Sequence, residues 1–441
     1  MKHKLIFAVA VMLVCKGLQA QTTMSLRTCV ETALSNNFDV QQRALQAQSD
    51  EANWKQSKLN RFPDLNATLG HDFNQGRNID PFTNQPVTQS FNSAGYGIGS
   101  NIVLFNGLAI HNNIKQNAYT FKAAQMDLQQ EKDNLTVNVI LAYLNVLSTT
   151  DQLTQAQNQV QLTLKQVERL QVLDGQGAIK PSDLTDLKGQ YANDQLAIIS
   201  AQNALVTAKV TLSKLMNVLY NKDLAVEPLD PLQFADVYET TVDSIYSTAL
   251  RQLALVKAAD YRIKSAAKGV KVAKGQLYPT LSFGGSASTR YSSVAMINND
   301  KINYTDQLNN NLYYTYGFSM RIPIFNALLQ RNRVKQAQIQ LKSRELSSVN
   351  IQTQLNQDIN QAYENMSAAS DRYKTTLEQV NAYDQSFKAA NARFQEGVGT
   401  PIDYLTAKNN LDRSNINLII ARYDYILRSK ILDYYQGNVL W

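Results

Sequence analysis

Cysteine, histidine and long apolar runs are all scarce in this chain, and each scarcity removes a class of function. Only Cys15 and Cys29 occur, and only His3, His71 and His111. A thiolate zinc site or a histidine-based catalytic constellation therefore has almost no raw material. No Gly-rich phosphate loop, nucleophile elbow or HExxH motif is present. The lone GYGIGS, Gly95 to Ser100, falls in a strand-like stretch and reads as small residues in a sheet wall. No dense Lys/Arg cluster supports nucleic-acid binding. No enzyme activity, metal or cofactor is expected. At 44% hydrophobic residues and a mean hydropathy of -0.31, the chain has no continuous apolar span beyond its N-terminus.

That N-terminus is the exception. Lys2 and Lys4 precede a ten-residue apolar run, Leu5 to Val14, followed by CKGLQA. A run this short cannot span a bilayer, which takes ~20 apolar residues. It has the form of an export signal over residues 1–20, with cleavage after Ala20. Lipidation at Cys15 is disfavoured because Val14 stands where a small residue is wanted. Removing Lys2, Lys4 and Lys16 lowers the formal charge from +7 to +4 and leaves Cys29 without an internal partner.

The mature chain is written twice. Gly177, Pro181 and Asp183 precede Gly397, Pro401 and Asp403 by 220 residues, and Leu104 to Asn106 (LFN) precedes Ile324 to Asn326 (IFN) by the same offset. At an offset of 216, Phe62-Pro63 matches Tyr278-Pro279. The predicted repeats are residues 21–222 and 240–441, joined by a Pro-containing linker at 223–239.

Each repeat begins with a helix-like stretch, Ser25 to Asn60 or Val242 to Gln276. Two strand-like segments follow, 65–74 and 95–105 in the first repeat, 280–291 and 313–324 in the second. Then comes a proline-free helix at 107–173 or 327–395, a Gly/Pro turn, and a last helix at 181–218 or 401–435. At 1.5 Å per residue the long helices reach roughly 100 Å. Ile359, Met366, Tyr373, Val380, Phe387 and Phe394 recur every seventh residue, with Ala362, Ala369 and Ala390 three places after seam members. Such a seam by itself specifies only helix pairing.

The strands carry the argument further. Leu65, Ala67, Leu69, His71 and Phe73 alternate with polar or small residues, as do Tyr96, Ile98, Ser100, Ile102 and Leu104. Leu281, Phe283, Gly285, Ala287 and Tyr291, then Tyr314 to Ile324 at even numbers, repeat the pattern. Such alternation suits membrane strands. Four strands cannot close a barrel alone, and lipid excludes an open edge, so an obligate oligomer is expected.

With its Pro-led strand pair, heptad helix and Gly-x-x-x-Pro-x-Asp turn written twice, the chain resembles the TolC family of outer-membrane factors over nearly its whole mature length. The resemblance implies a mainly α fold with membrane β: a long-helix α-barrel through the periplasm and, in a homotrimer, a 12-stranded barrel in the outer-membrane lipid. It implies an exit duct of a tripartite efflux or type I secretion system, with a periplasmic adaptor and an inner-membrane pump as partners. The polar loops Gln75 to Ser93 and Ser292 to Asn311 would face outside the cell. The turns bearing Gly175, Gly177 and Pro181, and Gly397, Gly399 and Pro401, would lie at the periplasmic end and receive the adaptor. Asp403 and Asp183 match acidic gate positions, with Asp186 on the same helix face as Asp183. The sequence departs from the family pattern at Gly399, where a basic residue is usual, and at Thr406, where a second acid would follow Asp403.

Two other classes fit part of the sequence. A secreted coiled-coil scaffold accounts for the heptads but not for the aromatic strands. A periplasmic adaptor has helical hairpins, but its β segments form compact soluble domains.

Overall fold

The computed structural model describes residues 23–82, 84–229, 240–298 and 300–438. The export signal, Cys15 and residues 230–239 of the linker lie outside the described residues. In chain order the elements are β1 (Thr23–Met24), α1 (Leu26–Asn36), α2 (Phe38–Leu59), β2 (Asn66–Asn74), β3 (Asn78–Ile79), β4 (Pro86–Val87), β5 (Phe91–Phe105), α3 (Ala109–Gly175) and α4 (Pro181–Met216). There follow β6 (Ala225–Val226), α5 (Val242–Gln252), α6 (Ala254–Gly275), β7 (Thr280–Ser292), β8 (Met296–Ile297), β9 (Asp300–Lys301), α7 (Tyr304–Asn310), β10 (Tyr313–Arg321), α8 (Leu329–Gln395) and α9 (Pro401–Gln436).

Apart from shifted strand ends, β5 beginning at Phe91 rather than 95 and β10 ending at Arg321 rather than 324, two features differ from the sequence expectation. The first helix-like stretch of each repeat is two helices. At Asn37 the backbone is extended, and the side chain accepts from the N–H groups of Asp39 and Val40, so it caps a fresh helix and ends the old one. In the second repeat the helix breaks at Leu253, where the backbone is extended but no side chain caps. The other difference is in the loop Ser292 to Asn311, which contains α7. The buried Gln307 amide accepts from Ser292 N–H at 2.8 Å and donates to the carbonyls of Ser292 and Ile302, so it substitutes for backbone pairing.

The compact units do not coincide with the sequence repeats. One comprises residues 1–45, 126–257 and 350–441, the other 46–125 and 258–349, so each draws on both repeats. In the first unit, Cys29, Val30, Val139, Tyr143, Leu212 and Met216 form the main core. Tyr143 Oη donates to the carbonyls of Met24 and Glu227, next to the parallel β1–β6 ladder. Ile245, Ala249, Ile359, Met366 and Leu432 form a second core.

The second unit holds one four-stranded antiparallel sheet, ordered β10-β7-β5-β2. Its register opposes Ala67 to Ile98, Ile98 to Ala287 and Ala287 to Tyr314, so the four predicted apolar alternations fall on one face. Among the described residues, α7 covers one end of that face, where Tyr304 packs on Tyr291 at 4.8 Å and bonds Tyr96, while the rest is open: Leu69 is 76%, Tyr316 79% and Phe318 73% exposed. A β-bulge interrupts the β5–β7 register between Val103 and Phe105, just before α3 begins.

Candidate functional site

The two Gly/Pro turns are built alike. At the end of α3, Gly177 takes φ +67°, its N–H donates to Asp174 O, and Ala178 N–H reaches back to Leu173 O at 2.9 Å. At the end of α8, Gly397 takes φ +75°, its N–H donates to Phe394 O, and Val398 N–H reaches Arg393 O at 3.0 Å. This closure satisfies the last helix carbonyls and needs a left-handed residue, which is why glycine stands at both positions. Pro181 and Pro401 then open the returning helices, where a missing N–H costs nothing.

Both turns rest on one core. Val167, Leu170, Leu184, Leu187, Phe394 and Tyr404 pack together. Tyr404 lies between Phe394, centroid 4.9 Å away, and Phe387, 5.7 Å away. The Arg169 guanidinium bonds the Gln395 carbonyl and ties α3 to the end of α8. The structure thus brings together residues that are 220 apart in sequence.

The acidic residues are placed as follows. Asp403 is exposed in the first turn of α9; its N–H donates to Thr400 Oγ1 at 3.1 Å, and its carboxylate accepts from the same hydroxyl at 2.8 Å. Asp183 is half-buried in the first turn of α4, within a weak reach of the Ser182 hydroxyl at 3.3 Å. Asp186 and Thr406 are exposed, one turn further along. Gly175, Gly177, Gly397 and Pro181 are exposed, whereas Gly399 and Pro401 are half-buried. A Cβ on Gly399 would lie 3.0 Å from Phe394 N and 3.2 Å from Arg393 Cβ, so no larger residue fits there without a shift.

Sequence reasoning missed the polar cluster just beyond this core. Lys408 is fully buried, and its Nζ donates to Asp194 Oδ2 at 3.0 Å and Asp412 Oδ2 at 2.7 Å. Thr163 Oγ1 and Gln190 Nε2 donate to the two oxygens of Asp194, at 2.5 and 2.7 Å. Burial raises the Asp412 carboxyl above the usual carboxylate range, against the pull of the Lys408 ammonium. The cluster joins α3, α4 and α9. A signal was available: Asp194 continues the buried row Leu184, Leu187, and Lys408 lies one turn after Tyr404, with Asp412 one turn further. Further along, Asp151 on α3 receives the guanidinium of Arg422 and the hydroxyl of Tyr423 at 2.8 Å, and burial first, then Asp151, pushes the Tyr423 phenol up to about 12.

A sequence profile for the family described as outer membrane efflux protein matches residues 29–218 and 245–438. TolC of Vibrio cholerae serotype O1 is 23% identical over 380 residues, 83% of this chain and 80% of that protein. The outer membrane efflux protein BepC of Brucella suis biovar 1 is 22% identical over 347 residues, covering 79% and 73%. Among solved structures, the outer membrane protein VceC from Vibrio cholerae gives a TM-score of 0.78 at 15% identity, covering 94% of this chain and 97% of that one. CusC gives 0.76 at 18%, covering 95% and 93%.

Proposed function

The chain belongs to the outer membrane efflux protein family, and on that premise we propose that it is the outer-membrane exit duct of a tripartite export system, working as a homotrimer with a periplasmic adaptor and an inner-membrane pump. The observation that carries this is the largely open apolar face of the sheet together with its two unpaired edges, β2 and β10. In hydrocarbon each unpaired backbone group costs several kcal/mol, so the edges must meet other copies.

The duplication says how they meet. Within the chain, β5 of the first repeat pairs with β7 of the second, Ile98 opposite Ala287 and Gly97 opposite Ser288. Carrying the offsets of 220 and 216 to the free edges places Phe318 opposite His71, and Gly317 opposite Asp72, in the next copy. That register keeps all apolar positions on one face. On the helices, Leu196, Ile199, Val206 and Val210 form an exposed seam along α4, ready for a helix of another copy or of an adaptor. The turns at Gly175–Pro181 and Gly397–Pro401 would meet the adaptor, with Asp183, Asp186, Asp403 and Thr406 at the gate.

The test is a cysteine pair, Phe318→Cys with His71→Cys, in protein recovered from the outer membrane. Oxidation should link copies into a ladder ending at three chains, whereas Phe318→Cys with Leu65→Cys should not. A stable soluble monomer overturns the proposal.

A further inference from the structure

Charge is divided sharply between the two compact units. The unit containing the sheet carries 19 Lys/Arg against 9 Asp/Glu, net +10. The other, with residues 1–20 set aside, carries 21 against 27, net -6. Most of the excess lies on helices next to the strands, and five lysines of α3 and α6 gather there.

These two helices pack side by side. Tyr119 stacks on Tyr261 with ring centroids 6.3 Å apart, Thr120 Oγ1 and Ser265 Oγ are 2.9 Å apart, and Ser265 Oγ donates to Gln116 O. Lys122 and Lys264 reach over the Tyr261 ring, at 5.7 and 5.5 Å from its centroid, so they lie on one side of the pair. Lys271 follows Lys264 by seven residues, with Lys268 one turn after Lys264, which places all three on that stripe of α6. Lys115 precedes Lys122 by the same seven residues on α3. Loss of hydration first, then the charges of Lys271 and Lys115, lowers the Lys268 ammonium from its usual range. Asp260 pairs with Lys264 at 2.6 Å. Among the described residues, Lys115, Lys122, Lys268 and Lys271 have no ion-pair partner.

We propose that these lysines form a binding stripe for multivalent anions, the phosphate or carboxylate groups of a solute in passage, which makes anionic solutes a substrate class of the duct. The proposal rests on the duct function above. A solute is favoured over lipid by the direction of the stripe. Counting from the helix ends at Ala109 and Gly275, the lysines lie about 6 to 20 Å from the strand junctions along the helix axes. Headgroups of a leaflet sit at one level, whereas this stripe spreads charge along the helices, as suits a ligand that moves along them. A surface of one sign concentrates ligands of the other.

The experiment uses the purified full-length protein in detergent and in planar bilayers, with tripolyphosphate as probe. Calorimetry should detect saturable binding that Lys115→Gln/Lys268→Gln/Lys271→Gln weakens at least tenfold and that the corresponding triple Arg variant restores. Tripolyphosphate added on the extracellular side, which reaches the stripe without crossing the periplasmic gate, should reduce the current of the native protein and not that of the Gln variant. Equal binding and block in the Gln variant overturn the stripe. So does loss of affinity for phosphatidylglycerol vesicles with block unchanged, which would assign the lysines to lipid. Absence of any conductance in the native protein sinks the duct itself, a different result from an open channel indifferent to tripolyphosphate.

Discussion

The two repeats keep the same backbone at matching positions and fill it with different chemistry. Lys188 and Lys408 are 220 residues apart on returning helices; Lys188 is exposed, while Lys408 is buried between two carboxylates. At the strand-to-helix junction both repeats run through two left-handed residues, Gly107-Leu108 and Ala327-Leu328. A Cβ on Gly107 would sit 2.3 Å from Gly275 O, whereas Ala327 carries its Cβ there at φ +52°. By the offset of 216, the surface equivalent to Gly275–Tyr278 is Leu59–Phe62, and Leu59 and Phe62 are exposed. Duplication therefore fixed the path of the chain, while each copy's neighbours decided the side chains. Contacts made once inside the chain have a second version that the chain itself leaves open.

The comparison breaks hardest at the lysines. Lys408→Ala would strand the buried carboxylates of Asp194 and Asp412 and should cost about 3 to 5 kcal/mol. Lys188→Ala, on the surface, should stay within about 0.5 kcal/mol. Denaturant unfolding of the two variants measures both; equal losses would deny the cluster any special part in the fold.

At the junctions the signs should oppose. Gly107→Ala forces overpacking against Gly275 and a left-handed alanine, at about 2 to 4 kcal/mol from the two together. Ala327→Gly relieves the same backbone strain and should stabilise by about 1 kcal/mol. A thermal melt of each variant checks this, and two shifts of the same sign would contradict it.

The turn caps differ more gently. Thr400→Ala removes the hydroxyl that accepts from Asp403 N–H and should cost roughly 1 kcal/mol. Lys180, which holds the equivalent position without a side-chain cap, should tolerate alanine with no measurable change. In bilayer recordings Asp403→Ala, alone and with Asp183→Ala, should reduce cation selectivity if the carboxylates of several copies converge on one opening. Unchanged selectivity in the double variant would leave both as helix-start residues.

The smallest effect is one of pH. Because the folded state raises the Asp412 carboxyl, its protonated form is favoured in the native protein, and its contribution is full below the ordinary carboxylate range and lost as pH rises through the folded value. Unfolding followed between pH 7 and pH 4 should show a stabilising trend from this group on acidification. Asp412→Asn should flatten that trend, and a steeper one would show that other groups control it.

The contrast between repeats also explains what was legible in the sequence. The turns could be read because a left-handed residue and a helix start each demand one residue type, so Gly177, Pro181, Gly397 and Pro401 stand out alone. The strands could be read because a period of two places Leu69 and Phe318 on one face whatever their partners. Asn37 ends α1 through a side-chain cap, a competition between local bonds that helical periodicity does not register. Gln307 looks like any loop glutamine until it closes on Ser292. Lys408 and Asp194 each look like a solvated charge, and only their meeting across 214 residues makes them interior. Asp403 matches a gate position by resemblance; the chain alone shows its bonds to Thr400, and the proposed gate would need several copies.

That separation of 214 residues has a meaning in time. An exported chain crosses the inner membrane N-terminus first, so Asp194 reaches the compartment where folding occurs 214 residues ahead of the lysine that neutralises it. During that interval α4 carries a carboxylate on the face it must later bury, and premature docking against α3 is penalised. The last helix thus supplies the cation that completes the cluster. Without residues 401–436, α3 and α4 would keep the Asp194 carboxylate with only the neutral donors Thr163 and Gln190 to answer it.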